Sequence, residues 1–470
     1  MVFSGITFLI YFLPVFLLIY HLAPHRLKNA VILTASVIFY SWGGPRFVFV
    51  ILGTTFLDFW LVNAMHNQKS DSAKRKFLVL SLCLNLGLLF YFKYCNFFID
   101  NINALFGSDI KWLRVALPIG ISFYTFESLT YVIDVYRGVH KPLRNSWHYQ
   151  TYILLFPKLI AGPIVRYHDI ADQITDRTKN YTTEIKLSGF LIFCLGLAKK
   201  AVLANTLGMQ ADAVYNLPVT EMDTYTAWVG AIAYTFQIYF DFSGYSDMAI
   251  GLGKMMGFRL PENFRNPYTS ASITEFWRRW HITLGVWMKN YLYIPLGGNQ
   301  VSNTKLYRNL LIVFLFSGLW HGASWNFVLW GAYHGLFLVL ERLFLLRIYK
   351  KAGKWISIPL TFVVIVTGWV LFRNEDISYA VAAIARMYSF EFFDAAFVVN
   401  NDFVFMAMLA AVVSFFVLLP GGQKFQDKLY GEEFVLRRQW LAAGLSVVLF
   451  YLALSFITAL DFNPFIYFRF

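Results

Sequence analysis

The chain has 470 residues, of which 58% are hydrophobic and only 14% are charged, and its mean hydropathy is +0.53. Soluble globular domains carry about 25% charged residues, so this composition excludes that class and indicates a polytopic membrane protein. The net charge of +13 does not indicate a nucleic-acid partner, because no basic soluble stretch stands apart from the apolar ones.

Apolar windows follow one another along the chain and are joined by short linkers. Because a spanning helix needs about 20 largely apolar residues, we predict an all-α fold with roughly ten to thirteen membrane helices, some too short to cross alone, plus interfacial amphipathic helices. One domain over residues 1–470 is the simplest partition. The windows lie near 5–22, 29–43, 46–65, 77–99, 113–136, 149–165, 187–206, 225–253, 309–340, 356–373, 403–419 and 440–460.

Basic residues cluster at the ends of these windows. An excess of Lys and Arg marks the cytoplasmic loops of inner-membrane proteins, and we therefore expect a multi-pass protein of the bacterial inner membrane. The clusters are Lys69 with Lys74, Arg75 and Lys76; Lys199 with Lys200; Arg347 with Lys350, Lys351 and Lys354; and Arg437 with Arg438.

Four acidic residues lie in or beside apolar runs. Buried charges are generally paired, so we expect structural ion pairs with nearby arginines, while a proton relay or a role in donor binding stays open. The acidic residues are Glu127, Asp134, Asp241 and Asp247, and the candidate partners are Arg137, Arg166 and Arg278.

Residues 254–308 are too polar for lipid yet rich in aromatic residues. Ser272 and Glu275 have the spacing of a capping box, which marks the start of a helix. From there an apolar face at three- and four-residue steps predicts one amphipathic helix at the cytoplasmic interface. His281 lies on that face, where a lone histidine is more often a packed core residue than a catalyst. The face comprises Trp277, Trp280, His281, Leu284, Trp287, Met288 and Tyr291.

The stretch SGLWHGASW, residues 317–325, places a histidine inside a run, 310–340, that has no Asp, Glu, Lys or Arg. If the preceding residues are helical, His321 lies roughly 18–20 Å from Arg308, inside a hydrocarbon slab about 30 Å thick. The small residues around His321 favour a helix break that lines a cavity. Neutral histidine exchanges protons near pH 7, so a catalytic role is the better hypothesis for this residue. His334 falls on another face and is expected to be structural.

Five stretches resemble the signatures of the membrane-bound O-acyltransferase (MBOAT) family, and the bacterial branch that O-acetylates alginate is the most similar. Related branches modify peptidoglycan and teichoic acids. The stretches are LPIGISFYTFESLTYVIDVYRG (117–138), FPKLIAGPIVRYHDI (156–170), YFDFSGYSDMAIGLGKMMGFRLPENFRNPY (239–268), FWRRWHITLGVWMKNYLYIPLGGN (276–299) and SGLWHGASWNFVLWGAYHG (317–335).

The resemblance implies a funnel-like membrane fold in which His321 is the catalytic base and His281 is a second catalytic residue, an orienter or an oxyanion donor. It implies an acyl group taken from a cytoplasmic thioester, with acetyl-CoA as the expected donor substrate and no permanently bound cofactor. No His, Asp or Glu cluster in the sequence has the spacing of metal ligands, so no metal is expected. The resemblance also implies periplasmic or lipid-anchored acetyltransferase partner proteins that complete the O-acetylation of an exported polysaccharide. Alginate is the first choice of polymer, and peptidoglycan or another exopolysaccharide is the alternative.

Three cationic residues near the predicted cytoplasmic rim, Arg278, Arg279 and Lys289, are candidates for binding the coenzyme A phosphates, although anchoring to lipid headgroups explains them equally well. The last residues, 463–470, read NPFIYFRF and resemble, loosely, an aromatic tail found on a small partner protein in teichoic-acid D-alanylation systems. Tyr467 is therefore a candidate acyl acceptor, with an interfacial aromatic anchor as the alternative. The two non-enzymatic hypotheses are a transporter of the acyl donor and a scaffold for polymer synthesis.

Overall fold

The computed structural model describes residues 1–112, 116–393, 399–431, 436–459 and 465–466. Over these ranges all regular secondary structure is helical and there is no strand, which confirms the all-α prediction. The α-helices are α1 Leu13–Leu22, α2 Lys28–Gly43, α3 Phe47–His66, α4 Asp71–Leu89, α5 Cys95–Phe106, α6 Ile121–Tyr136, α7 Ser146–Leu154, α8 Phe156–Leu159, α9 Tyr167–Thr175, α10 Thr183–Ala198, α11 Asn205–Tyr215, α12 Thr224–Met255, α13 Ile273–Arg279, α14 Ile282–Met288, α15 Asn303–His321, α16 Trp325–Leu340, α17 Leu346–Ala352, α18 Lys354–Arg373, α19 Ile377–Met387, α20 Asn401–Phe415, α21 Gly422–Leu429 and α22 Leu436–Ala459.

Short stretches of wider or tighter helical turns extend several of these helices. The wide turns are Thr7–Phe12, Phe90–Tyr94, Lys199–Ala204, Lys289–Tyr293 and Glu341–Leu345. The tight turns are His25–Leu27, Thr178–Asn180, Val219–Glu221, Pro267–Thr269 and Phe416–Leu418.

Seven helical runs within the described ranges are long and apolar enough to cross a membrane. The sequence estimate of ten to thirteen also counted shorter embedded helices, and two such apolar helices are Thr7–Leu22 and Ile377–Met387. The seven runs are Phe47–His66, Asp71–Phe106, Thr183–Tyr215, Trp325–Ala352, Lys354–Arg373, Asn401–Leu418 and Gln439–Ala459.

The chain divides into two compact units, and the single domain expected from the sequence stays a prediction. Unit 1 comprises residues 1–193 and 248–261, and unit 2 comprises residues 194–247 and 262–470. Unit 1 has a core of aromatic and aliphatic side chains and three buried acidic residues, Asp58, Glu127 and Asp134. The Asp58 carboxylate accepts hydrogen bonds from Ser81, Asn85 and Tyr149.

The second buried acid of unit 1, Glu127, forms an ion pair with Lys158, and both side chains are fully buried. Asp134 contacts the His168 ring through Nδ1 at 2.7 Å. Pairing of these acids was predicted correctly. For Glu127 the partner is a lysine and not one of the expected arginines, because Lys158 lies 31 residues away and no local pattern connects the two positions.

Unit 2 is organised around the antiparallel helices α15 and α16, which glycines allow to approach closely. A Cβ added to Gly318 would lie 2.2 Å from the Phe327 carbonyl oxygen, and one added to Gly331 would lie 2.3 Å from the Phe314 carbonyl oxygen. Neither position tolerates a side chain at that separation. Small residues therefore set the spacing of the two helices, as is common for helices packed in membranes.

Unit 2 also contains two lysine–aspartate pairs, one fully buried and one partly buried. Lys200 pairs with Asp241, and Lys199 lies 2.6 Å from Asp247. The prediction that Lys199 and Lys200 lie at the end of a span was wrong, because both sit in the middle of the run Thr183–Tyr215. Their charges face aspartates of α12 instead of a cytoplasmic loop, since a charge inside an apolar helix is stabilised by an opposite one.

Candidate active site

His321 is the last residue of α15 and its imidazole is buried in a shell of aromatic rings. His321 is 5% exposed. The ring centroid lies 5.2 Å from that of Trp330 and 5.3 Å from that of Phe372, both in edge-on arrangements. The helical segment and the break after it confirm what the sequence predicted around His321.

The backbone after His321 leaves the helix at Gly322, which is fully extended with φ −163°. A Cβ at Gly322 would lie 2.1 Å from the Phe327 ring. That ring in turn packs against Phe372, at 5.0 Å between centroids. A small residue at this position therefore keeps the aromatic shell closed around the imidazole.

The helix predicted from Ser272 to Tyr291 is wrong as a single element. The structure has two short helices, α13 and α14, separated at Trp280 and His281. His281 has φ 45° and ψ 51°, the left-handed conformation that few non-glycine residues adopt. Because of this break, His281 does not continue the single apolar helix face that the periodicity predicted.

The break is stabilised by a segment that precedes α13 in the chain. The backbone of Asn263 accepts a hydrogen bond from Ile282 N at 2.9 Å, and Arg265 N donates to the Arg279 carbonyl at 2.9 Å. The Asn263 side chain contacts His281 Nδ1 at 3.2 Å. Sequence reasoning missed Asn263, because its partners lie on a separate element and no periodic pattern connects them.

The capping box predicted at the start of α13 is present. Ser272 Oγ accepts from Glu275 N at 3.0 Å, and the Glu275 carboxylate accepts from Ala271 N at 2.9 Å. A further carboxylate, that of Glu341, accepts from Ile273 N and from Thr274. Glu341 is 1% exposed and was not singled out in the sequence, because it lies at the end of an otherwise apolar run.

The two histidines of the site lie close together inside unit 2. Their ring centroids are 6.4 Å apart, and the Trp320 ring lies 5.9 Å from that of His281 and 4.9 Å from that of His321. His281 is 2% exposed, and burial lowers the pKa of its imidazole to about 3. The His281 ring is therefore neutral at pH 7. Two imidazoles at this separation can serve one reacting group between them, while their catalytic roles stay predictions.

His334 also lies in unit 2, but its surroundings differ from those of His281 and His321. Its ring packs edge-on against Trp277 at 5.0 Å and against Trp330 at 5.2 Å. Within the described part of the chain, neither ring nitrogen has a hydrogen-bond partner. Its contacts are those of a packed aromatic ring.

The three cations proposed to bind coenzyme A differ in their surroundings. Arg278 and Lys289 are exposed. Arg279 donates to Glu275 at 2.6 Å and to Thr269 at 2.8 Å, so much of its guanidinium is already engaged. Arg278 and Lys289 are therefore better placed than Arg279 to bind a phosphate.

Tyr467, the candidate acyl acceptor, lies outside the described residues, whereas Phe465 and Ile466 before it are buried in unit 2. Ile466 N donates to Asp241 Oδ2 at 2.8 Å, and the Phe465 ring packs edge-on against Tyr245 at 4.9 Å. The Asp241 carboxylate therefore accepts hydrogen bonds from the Lys200 ammonium group and from the backbone N–H of Ile466.

The residues assembled here supply proton acceptors and aromatic walls. No group of three His, Cys, Asp or Glu side chains that could hold a metal ion occurs among the residues described. An imidazole flanked by aromatic rings can remove a proton from a hydroxyl as that hydroxyl attacks a carbonyl carbon, which is the chemistry of general-base acyl transfer.

Comparison with known proteins agrees with this chemistry. The profile of MBOAT, the membrane-bound O-acyltransferase family, matches residues 145–381. The probable alginate O-acetylase AlgI of Pseudomonas putida is 40% identical, and the alignment covers 100% of both chains. The peptidoglycan O-acetyltransferase of Helicobacter pylori is 34% identical over 82% of this chain and 80% of its own.

A more distant relative is the teichoic acid D-alanyltransferase of Bacillus subtilis, which is 26% identical over 60% of this chain and 78% of its own. These relatives share acyl transfer and differ in the acceptor that their names give. The chain belongs to the membrane-bound O-acyltransferase family and is a membrane O-acyltransferase.

Proposed function

We propose that the protein takes an acetyl group from cytoplasmic acetyl-CoA and passes it across the bacterial inner membrane for the O-acetylation of an exported polysaccharide, with alginate as the polymer. The observation that carries the proposal is the pair of buried imidazoles 6.4 Å apart. The name of the Pseudomonas putida relative, which aligns over the whole chain, supports acetyl as the acyl group and alginate as the polymer.

In the proposed reaction His321 is the general base. It takes the proton of the acceptor hydroxyl while the hydroxyl oxygen attacks the thioester carbonyl carbon. The new C–O bond forms, the C–S bond breaks, and the sulfur leaves with the electron pair and receives the proton that His321 took from the hydroxyl. The aromatic shell excludes water from this step, which disfavours hydrolysis of the thioester.

The decisive test is His321→Gln in cells that make the polymer, with protein level checked by immunoblot. We expect the ester-bound acetyl content of the polymer to fall by at least 100-fold while polymer yield is unchanged. The matched control is His334→Gln, the same chemical change at another buried histidine of unit 2, and it should retain acetylation in proportion to protein level. Unchanged acetylation in His321→Gln would contradict the proposal and favour a transporter.

Polymer identity is tested by the same measurement applied to each polysaccharide of the cell. Loss of acetyl from alginate alone supports the proposal, whereas loss from peptidoglycan alone assigns the chain to that polymer instead. A scaffold for polymer synthesis would lower polymer yield together with acetylation. The proposed partners are periplasmic or lipid-anchored acetyltransferase proteins that complete the transfer to the sugar hydroxyl.

Donor binding is proposed for Arg278 and Lys289 because both are exposed cations beside the helices that hold the site. Arg278→Ala should raise the KM for acetyl-CoA by about 5-fold or more, since a guanidinium–phosphate contact is worth roughly 1–3 kcal/mol, and should leave kcat within a factor of two. A thiol-release assay on membrane vesicles measures both constants. A fall in kcat at unchanged KM would contradict a role in phosphate binding.

A second proposal concerns Tyr467 as a transient acyl acceptor. It is supported by the anchoring of Ile466 to Asp241, whose neighbour Phe242 packs edge-on against the His281 ring at 4.7 Å. Tyr467→Phe keeps the ring and removes the hydroxyl nucleophile. Polymer acetylation should then fall at unchanged protein level, and wild-type acetylation in this variant would end the proposal.

A further inference from the structure

The side-chain amide of Asn263 is fixed in one orientation by its neighbours. Asn263 is 1% exposed. One of its two amide atoms lies 3.3 Å from Thr283 N and 2.9 Å from Thr283 Oγ1, and the other lies 3.1 Å from Ser246 Oγ. Because a backbone N–H can only donate, the atom that faces Thr283 N must be the amide oxygen. The orientation therefore follows from an obligate donor.

This orientation determines where the proton of the His281 ring sits. The same amide oxygen, Oδ1, lies 3.2 Å from His281 Nδ1. An amide oxygen carries no hydrogen, so this contact is a hydrogen bond when Nδ1 carries the proton. A neutral imidazole has one N–H and one acceptor nitrogen, and burial keeps this ring neutral at pH 7. The acceptor nitrogen is then Nε2.

We propose that Asn263 is a positioning residue that holds His281 in the Nδ1–H tautomer, so that His281 Nε2 presents a lone pair to the substrates. The inference rests on the proposed function, because it assigns a role within the same site. An oxyanion donor needs a hydrogen on Nε2, which this tautomer does not have. His281 instead accepts a hydrogen bond from a hydroxyl or amide group of a substrate and orients that group, and it forms no covalent bond.

The backbone geometry at His281 supports this role. The left-handed conformation at His281 is strained for a residue with a side chain, and such strain persists where the surroundings hold it. Here the holding contacts come from Asn263, whose backbone oxygen accepts from Ile282 N and whose side chain accepts from Thr283. One residue therefore fixes the backbone, the ring orientation and the ring proton together.

The first test is spectroscopic and needs no turnover. Nitrogen-15 NMR of histidine-labelled protein, with the His281 signals assigned by comparison with His281→Gln, reports which ring nitrogen carries the proton. We expect the Nδ1–H tautomer at pH 7. An Nε2–H tautomer in the wild-type protein would overturn the proposal.

Two substitutions and one control extend this test. Asn263→Asp keeps the oxygen that accepts from Nδ1 and adds a negative charge, so the tautomer should persist and the pKa of His281 should rise by at least one unit. Asn263→Leu removes the acceptor, and the tautomer preference should be lost. Ser246→Ala removes the partner of the amide NH2 only, and the tautomer should remain. A folded Asn263→Leu that keeps the tautomer would overturn the proposal, and Asn263→Asp tests it should the leucine variant not fold.

The second test measures the pH dependence of acetyl transfer. In Asn263→Asp the transfer rate relative to that of the wild type should fall as the pH is lowered, because Nε2 of His281 becomes protonated more readily while the general base His321 is unchanged. A purely structural role for Asn263 would change the rate equally at all pH values. Failure of the proposed function is seen separately, as absence of transfer in the wild-type protein together with the Nδ1–H signal.

Discussion

The buried environment of His321 depends on its immediate neighbours. The sequence predicted the burial of His321, the helix that carries it and the break after it, because a small-residue motif interrupts an apolar run. It did not predict the rings that surround it. Phe372 comes from α18, about fifty residues later, and no local pattern connects the two positions.

At this scale Gly322→Ala is expected to damage both stability and activity. The new methyl group must displace the Phe327 ring, which contacts Phe372 beside His321. Overpacking of this kind costs about 1–3 kcal/mol. We expect a lower midpoint of thermal unfolding in detergent and at least a 10-fold lower transfer rate.

The matched control is Gly444→Ala on α22, where an added Cβ meets nothing within 4 Å. Alanine is favoured over glycine inside a helix by about 1 kcal/mol, so this variant should be as stable as the wild type or more so. Wild-type stability and rate in Gly322→Ala would refute the view that this glycine keeps the shell closed.

Among the elements, α13 and α14 show where sequence periodicity stops being informative. The capping box at Ser272 was predicted correctly because all its parts lie within a few residues. The aromatic face continued past the true end of α13, since contacts with Asn263 replace the helical hydrogen bonds there. Periodicity shows which face of a helix is apolar. It cannot show that a residue elsewhere in the chain, here Asn263, supplies hydrogen-bond acceptors that end the helix.

The start of α13 gives a prediction of its own. The Glu341 carboxylate accepts from Ile273 N at 2.5 Å, from Thr274 N at 2.9 Å and from Thr274 Oγ1 at 2.6 Å. Glu341→Ala leaves these buried donors without their acceptor, at a cost of about 3 kcal/mol. Thermal unfolding should show this loss, and the stability of Glu341→Gln should lie between those of the wild type and Glu341→Ala.

Arg342→Ala is the control for Glu341→Ala, since Arg342 is the exposed neighbour on the same turn. Surface substitutions of this kind change stability by no more than about 0.5 kcal/mol. If Glu341→Ala were no less stable than Arg342→Ala, the carboxylate would not be what holds the start of α13.

Across the whole molecule, the composition predicted a helical membrane protein correctly, and the distribution of charge was harder to read. Lys199 and Lys200 resemble a cytoplasmic cluster in the sequence, yet both are paired with aspartates inside the protein. Charge counts alone do not separate a loop from a buried ion pair. Telling a loop lysine from a buried one requires knowing that each lysine lies beside an aspartate of α12.

The Lys200–Asp241 pair provides the test at this scale. Removing one partner leaves a buried charge uncompensated, which costs about 3–5 kcal/mol, whereas replacing both with apolar residues of similar volume is far better tolerated. Lys200→Met and Asp241→Leu should therefore each lower the unfolding midpoint more than the double variant does.

The control for this cycle is Arg265→Ala, which breaks the exposed pair of Arg265 with Glu262. Exposed pairs contribute about 0–1 kcal/mol, so this variant should unfold close to the wild type. Additive losses in the Lys200→Met, Asp241→Leu double variant would show that the buried charges do not compensate each other.

The glycine contacts between α15 and α16 bear on how the protein is made. The two helices are consecutive, so their meeting requires only the closing of a short loop and forms early. During synthesis the hairpin can assemble as soon as the ribosome has released α16, with His321 already at its tip. Later helices, among them the one that carries Phe372, then dock onto a preformed unit.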